Sequence, residues 1–130
     1  MTTLRILSEF FDFPLEGQVL DAALGMHGAG GYRAQCGLVE GALMAVGIIG
    51  RRHGLADDQV VRLCYAFAEQ FEAEFGSLLC LELRPEGFRP DNPPHLCEEL
   101  TRRAIQFDVA FLGDVLHRKG KERNGQAEDE

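Results

Sequence analysis

Leu4, Leu7 and Phe11 recur at helical spacing near the start of the chain and Pro14 closes the run, which predicts a short amphipathic helix from about Thr3 to Asp12. A second short helix is expected over Leu15 to Leu24. From Gly25 to Gly31, four of seven residues are glycine, which removes the side chains that would hold a helix together, so this stretch reads as a turn or loop. The run from Cys36 to Gly50 is apolar enough to raise the question of a membrane span. It has only 15 residues and carries Glu40, whereas a span needs about 20 apolar residues, so it is predicted to be the buried central helix. Within it Gly37, Gly41 and Ala45 fall four apart and form a ridge without bulk, against which a neighbouring helix can approach closely.

Asp57 or Asp58 is expected to cap the next helix, whose Val60, Cys64, Phe67, Phe71 and Phe75 form one apolar stripe before Gly76 supplies a C-terminal stop. Ser77 then opens a short apolar turn, Leu78 to Leu83, followed by a loop from Arg84 to Pro94 that holds four of the five prolines. Asn92, Pro93 and Pro94 make a start for the last helix, in which Cys97, Leu100, Ala104, Phe107 and Phe111 share a face and which Gly120 is expected to end. From Lys121 to Glu130 the only apolar side chain is Ala127, so nothing offsets the entropy of ordering and a solvated tail is expected. No internal repeat or strand pair is visible. The predicted fold is all-α: a single-domain array of about five helices around a buried glycine-rich central helix, spanning residues 1–120, with a polar, disordered tail over 121–130.

Composition narrows the class. A chain of 130 residues can bury a core without disulfides, and four cysteines are too sparse for a secreted framework. With no charged and apolar leader at its start, the chain is expected to be cytoplasmic. The 13 basic residues against 21 acidic ones give a net charge of -8, which repels phosphate backbones and anionic headgroups. Neither nucleic-acid binding nor membrane insertion is expected.

Chemistry enters through the cysteines. No CxxC pair and no HExxH occurs, and the gaps between Cys36, Cys64, Cys80 and Cys97 are long, so spacing alone does not define a metal site. Placement says more, because Cys36 and Cys97 fall in the first turn of predicted helices and Cys80 follows Ser77 at the start of a short one. Free amide groups and the positive end of the helix dipole favour thiolate there, the form that attacks disulfides and ligates metals. Cys36, beside the glycine loop, is expected to be the most acidic and accessible of the four. The plainer reading is that an unpaired cysteine is a small core hydrophobe, and Cys64, within a stripe of Val and Phe, fits it best.

The segments Cys36-Gly37-Leu38-Val39-Glu40-Gly41, Phe75-Gly76-Ser77-Leu78-Leu79-Cys80 and Cys97-Glu98-Glu99-Leu100 together resemble the family of redox-active proteins named for its cysteine pattern, C_GCAxxG_C_C. In that family a CGAxxG motif follows a glycine-rich loop, a Phe-rich helix ends in a Gly-Ser turn leading to a cysteine, and a further cysteine opens the final helix. Two departures stand out: Leu38 replaces the alanine of the motif, and the cysteine expected before the first helix is missing. The resemblance implies redox activity or binding of an iron–sulfur cluster or a transition metal such as zinc by Cys36, Cys80 and Cys97, with Cys64 as a candidate fourth ligand. It also implies a redox or transport-associated protein partner. Loss of the first cysteine leaves open a member that keeps the fold with no cofactor.

Other residues are weighed more plainly. His95, two residues before Cys97, could complete a cysteine-rich shell, whereas His27, His53 and His117 read as surface residues. Glu40, four residues after Cys36, could orient a ligand or accept a proton, but exposure at the helix surface is the expected state of a charged residue there. The glycine loop lacks both the P-loop ending and GxGxxG, so it is a connection and not a nucleotide site. Two functions follow: a small protein with clustered cysteines that bind a metal centre or exchange thiol and disulfide, or a cofactor-free helical interaction module, a homodimer in which the cysteines are only core residues. Neither a reaction nor a substrate is encoded legibly.

Overall fold

In the computed structural model, which describes residues 2–26, 34–83 and 98–129, the hydrophobic periods become helices. These are α1 (Thr2–Phe10), α2 (Gly17–Ala23), α3 (Gly37–Arg52), α4 (Asp57–Phe75), the single turn α5 (Cys80–Leu83) and α6 (Glu98–Asp129). No strand occurs among the described residues, where one isolated antiparallel bridge joins Gln35 to Leu79. The fold is all-α, as the pattern predicts. The glycine loop from His27 onward, the proline-rich loop and the Asn92–Pro94 helix start lie outside the described residues.

Helix α3 is central because α1, α4 and α6 all pack against it. A helix covered on several sides must be apolar around most of its circumference, and Val39, Ala42, Ala45, Val46 and Ile49 are all buried. Gly41 and Ala45 of the expected ridge are buried, while Gly37 is half-buried. A close contact is found at the other end of the helix: a Cβ built on Gly50 would stand 2.9 Å from Val60 Cγ2 and 3.4 Å from Leu55 Cδ1. The chain reverses there through Gly54, whose φ of +76° is cheap only for glycine, and the Leu55 N–H donates to Gly50 O at 2.9 Å.

The start of α4 differs from expectation. Ala56, not an aspartate, occupies the cap position, and its N–H donates to Gln59 Oε1 at 2.9 Å. Asp57 and Asp58 fall in the first turn instead, where their charge opposes the positive end of the dipole without a capping bond. At the other end Gly76 takes the left-handed conformation, φ +88°, and its N–H donates to Glu72 O at 2.8 Å, as a C-terminal glycine should.

Helices α4 and α6 meet through a ladder of rings. Phe75 and Phe71 each lie 5.8 Å from Phe107 between centroids, and Phe67 lies 5.6 Å from Phe107 and 5.3 Å from Phe111, mostly edge to face. Each such pair adds about 0.5–1.5 kcal/mol beyond the area it buries. Arg103 closes the rim, its guanidinium 5.3 Å from the Phe75 ring centre. Gly120 does not stop α6, which continues to Asp129. One glycine inside a helix costs only about 1 kcal/mol, and the Lys, Glu and Arg residues around it are good helix formers.

The two glycines of α3 that differ in surroundings give a direct test. Gly50→Ala should lower stability by about 1–3 kcal/mol, because the stiff Val60 side chain has to move. Gly47→Ala meets nothing within 4 Å and should raise stability by roughly 0.5–1 kcal/mol through helix propensity alone. Thermal unfolding of both variants checks this; shifts of the same sign would remove the close contact at Gly50.

Candidate functional site

The direction of each helix decides which cysteines can meet. Residues 53–56 join α3 to α4, and so short a connection makes the two antiparallel neighbours. In the phenylalanine ladder, numbers fall along α4 as they rise along α6, so these two are antiparallel as well. Helices α3 and α6 therefore run the same way, and both begin at the end of the bundle where α4 stops and α5 starts.

That end is tied together by backbone. Ser77 is buried, and its hydroxyl oxygen accepts the Leu79 N–H at 3.0 Å, shaping the turn that leads from α4 into α5. The Cys36 N–H donates to Leu78 O at 2.8 Å, beside the Gln35–Leu79 bridge. Cys36 thus stands next to the segment that opens α5 at Cys80. It occupies the cap of α3, one position before the first turn in which it was expected, and its carbonyl accepts the Val39 and Glu40 N–H groups at 3.0 Å. Only 1 % of it is exposed, so the accessible thiol expected from the neighbouring glycine loop is not what the fold provides. Cys97 and His95 lie outside the described residues, and α6 begins at Glu98.

Glu40 corrects a second expectation. It is 7 % exposed rather than at the surface, because α3 is enclosed by three helices and the turn that carries Glu40 faces inward. A carboxyl one helical turn from Cys36 is close enough along the helix to act on the same site. Cys64 stands elsewhere. It precedes Phe75 by eleven residues, about 16 Å along the axis at 1.5 Å per residue, away from the end that holds Cys36. Half-buried in α4, its thiol is pushed up in pKa by burial, which keeps it protonated and supports the core reading. His53 closes α3 at the opposite end. Among the described residues, no group of three or more His, Cys, Asp or Glu side chains is placed to hold a metal ion.

One residue escaped the sequence reading. Asp108 of α6 is 0 % exposed, and neither of its carboxyl oxygens has a hydrogen-bond partner among the described residues. Burial pushes its pKa up to about 8. The signal was available, since Asp108 lies one turn after Ala104 on a face already assigned to the core.

Compared with known protein families, residues 2–110 match the one described as "Putative redox-active protein (C_GCAxxG_C_C)". The comparisons with curated proteins and with solved structures returned no match.

The burial of Cys36 has a measurable consequence. In chelator-treated native protein, alkylation of Cys36 should run on the order of a hundredfold slower than in denaturant, the factor set by a local opening of about 3 kcal/mol. Mass spectrometry resolved by residue checks it. A native rate equal to the denatured one would mean that the thiol is already open to solvent.

Proposed function

The chain belongs to the C_GCAxxG_C_C family, and from that premise we propose that Cys36, Cys80 and Cys97 act together as a thiolate site that holds an iron–sulfur centre, which would be redox-active, or a zinc ion, which would be structural. The observation that carries this reading is the hydrogen bond from Cys36 N–H to Leu78 O, with its adjoining bridge, which fixes the start of α3 against the start of α5. Three thiolates form a soft donor set, the kind that selects zinc, copper(I) and iron–sulfur clusters over hard cations. Cys36 is shielded from solvent, which suits a ligand, since a closed site protects thiolates from oxidation. His95 is the proposed fourth ligand. Cys64 has no part in the site, because α4 carries it about three turns from that end. When bound, the metal centre supplies electron transfer or holds the helix starts together. The protein's own contribution is to orient Cys36 through its backbone bonds and to exclude water with the apolar residues of α3.

Thiol and disulfide exchange is the other arm of the same reading. There a thiolate of this chain attacks a partner protein's disulfide and displaces one of its sulfurs as thiolate; a second cysteine of this chain then resolves the mixed disulfide. The partner leaves as a dithiol and this chain keeps the disulfide. Exchange needs an exposed attacking sulfur, and the burial of Cys36 therefore favours the metal arm.

Anaerobic purification followed by a visible spectrum and iron and zinc analysis tests the proposal. The expected result is bound metal that falls by at least about tenfold in Cys36→Ser, as loss of a ligand removes more than about 1.4 kcal/mol of binding, and that stays unchanged in Cys64→Ser. A colourless, metal-free protein whose four thiols all titrate and form no reversible disulfide would leave the cofactor-free, homodimeric helical module in its place.

A further inference from the structure

Asp108 sits where a core ordinarily holds an apolar side chain. It shares its face of α6 with Ala104 one turn before and Leu112 one turn after, both buried. Phe107 and Phe111 take the side turned to α4, which leaves the Asp108 face to α3 and α1. Among the described side chains, the ionisable groups of the surrounding helices do not compensate its charge. On α1, Arg5 and Glu9 are exposed. On α3, Arg51 and Arg52 are exposed, His53 lies at the far end, and Glu40 is the one acid turned inward. On α4, Asp57, Asp58, Arg62, Glu69, Glu72 and Glu74 are exposed and Cys64 is a half-buried thiol; on α6 itself Arg102, Arg103 and Asp114 are exposed. No cation among the described residues is buried with Asp108, and a second inward carboxyl can only disfavour its ionisation.

We infer that Asp108 is a proton-operated latch on the seam between α6, α3 and α1: protonated, it keeps the core closed over Cys36, and deprotonated, it draws water into the seam and uncovers the Cys36 thiol. The consequence for Cys36 rests on the redox reading above, as a control on when that site can be reached by an oxidant or a metal; the latch itself does not rest on it. The physical reason is that a neutral carboxyl in an apolar seam is tolerable whereas an unpartnered anion there is not. Once ionised, the group must reach water, and α6 has to part from α3 for it to do so. Since α3 carries Cys36 at its start, the motion that hydrates Asp108 loosens the cover of the thiol.

The direction with pH follows from the two states. Asp108 keeps its proton up to about pH 8 in the closed core, against an ordinary value of 3.8 when free in water. The stability supplied by the retained proton is therefore whole below about pH 4 and is lost progressively up to about pH 8. Over that window the opening equilibrium grows by up to about tenfold per pH unit, and above it the growth stops.

The test is residue-resolved alkylation of the full chain with iodoacetamide from about pH 6 to about pH 10, comparing wild type with Asp108→Asn and Asp108→Leu. The thiolate fraction of Cys36 is common to all three, so the ratio of wild-type to variant rate cancels it. The ratio is expected to climb by up to about tenfold per pH unit until about pH 8 and then to level. Parallel profiles overturn the latch. Should Asp108→Asn fail to fold, Asp108→Leu serves, because it removes the polar group from the core. Infrared spectra of the wild type give a reading independent of any variant: a protonated carboxylic C=O stretch is expected at neutral pH and should vanish near pH 8, and its absence at neutral pH overturns the proposal. If the ratio climbs as expected but the protein binds no metal and forms no reversible disulfide, the redox reading fails and the latch stands.

Discussion

The reversed order of rings between α4 and α6 is the contact on which the arrangement of the domain turns. Phe75 pairs with Phe107 while Phe67 reaches Phe111. That order fixes the direction of α6. With the short turn between α3 and α4, it brings the starts of α3, α5 and α6 to one end of the bundle. A parallel α6 would carry its start to the opposite end, about 28 Å away for a helix of 19 residues such as α4. Ring packing thus sets the direction of α6, while the Cys36 N–H to Leu78 O bond ties the start of α3 to the segment that opens α5.

The sequence made this half of the structure readable because periodicity and breakers are local properties. The Phe stripe of α4, its end at Gly76 and the apolar run of α3 each depend on residues within one element. The single turn that Cys80 opens follows from the Gly76-Ser77 pair in the same way. Helix caps were read less well: an aspartate was expected where Ala56 stands, since either Asp57 or Asp58 could have supplied the oxygen and Gln59 supplied it from inside the helix instead. Burial of individual polar residues was read worst. Glu40 was placed at the surface on its chemistry alone, although an enclosed central helix has little surface to offer. Which side of α3 stays covered depends on three partner helices, and that information is spread over the whole chain.

The same limit explains why a cluster of cysteines could be suspected but not located. In sequence Cys36 stands at a helix start beside the glycine loop and Cys64 inside an apolar helical stripe, but neither placement says which end of the bundle each occupies. That is settled only when helix direction is known, because α4 carries Cys64 away from the end where α3 begins. The thiolate argument from helix starts also assumes access, and access is a tertiary property. At Cys36 the backbone supplies the amide environment of a helix start, while packing closes the route to it.

Asp108 is harder to account for as structure alone. Burying a carboxyl without a partner costs on the order of 1–3 kcal/mol even when it is neutral, and a domain of this kind has only about 5–15 kcal/mol in all. An apolar side chain at the same position would remove that polar cost. Rim charges such as the Arg103–Glu74 pair at 3.9 Å cannot relieve it, since both side chains are about half exposed and exposed pairs contribute little. Departures of this kind gather at functional positions, where a strained or unpartnered group gives the fold a second state to move to. Under the proposed latch, a carboxyl at the eleventh residue of a 32-residue helix would answer to pH from within the core, which separates control of the site from its chemistry.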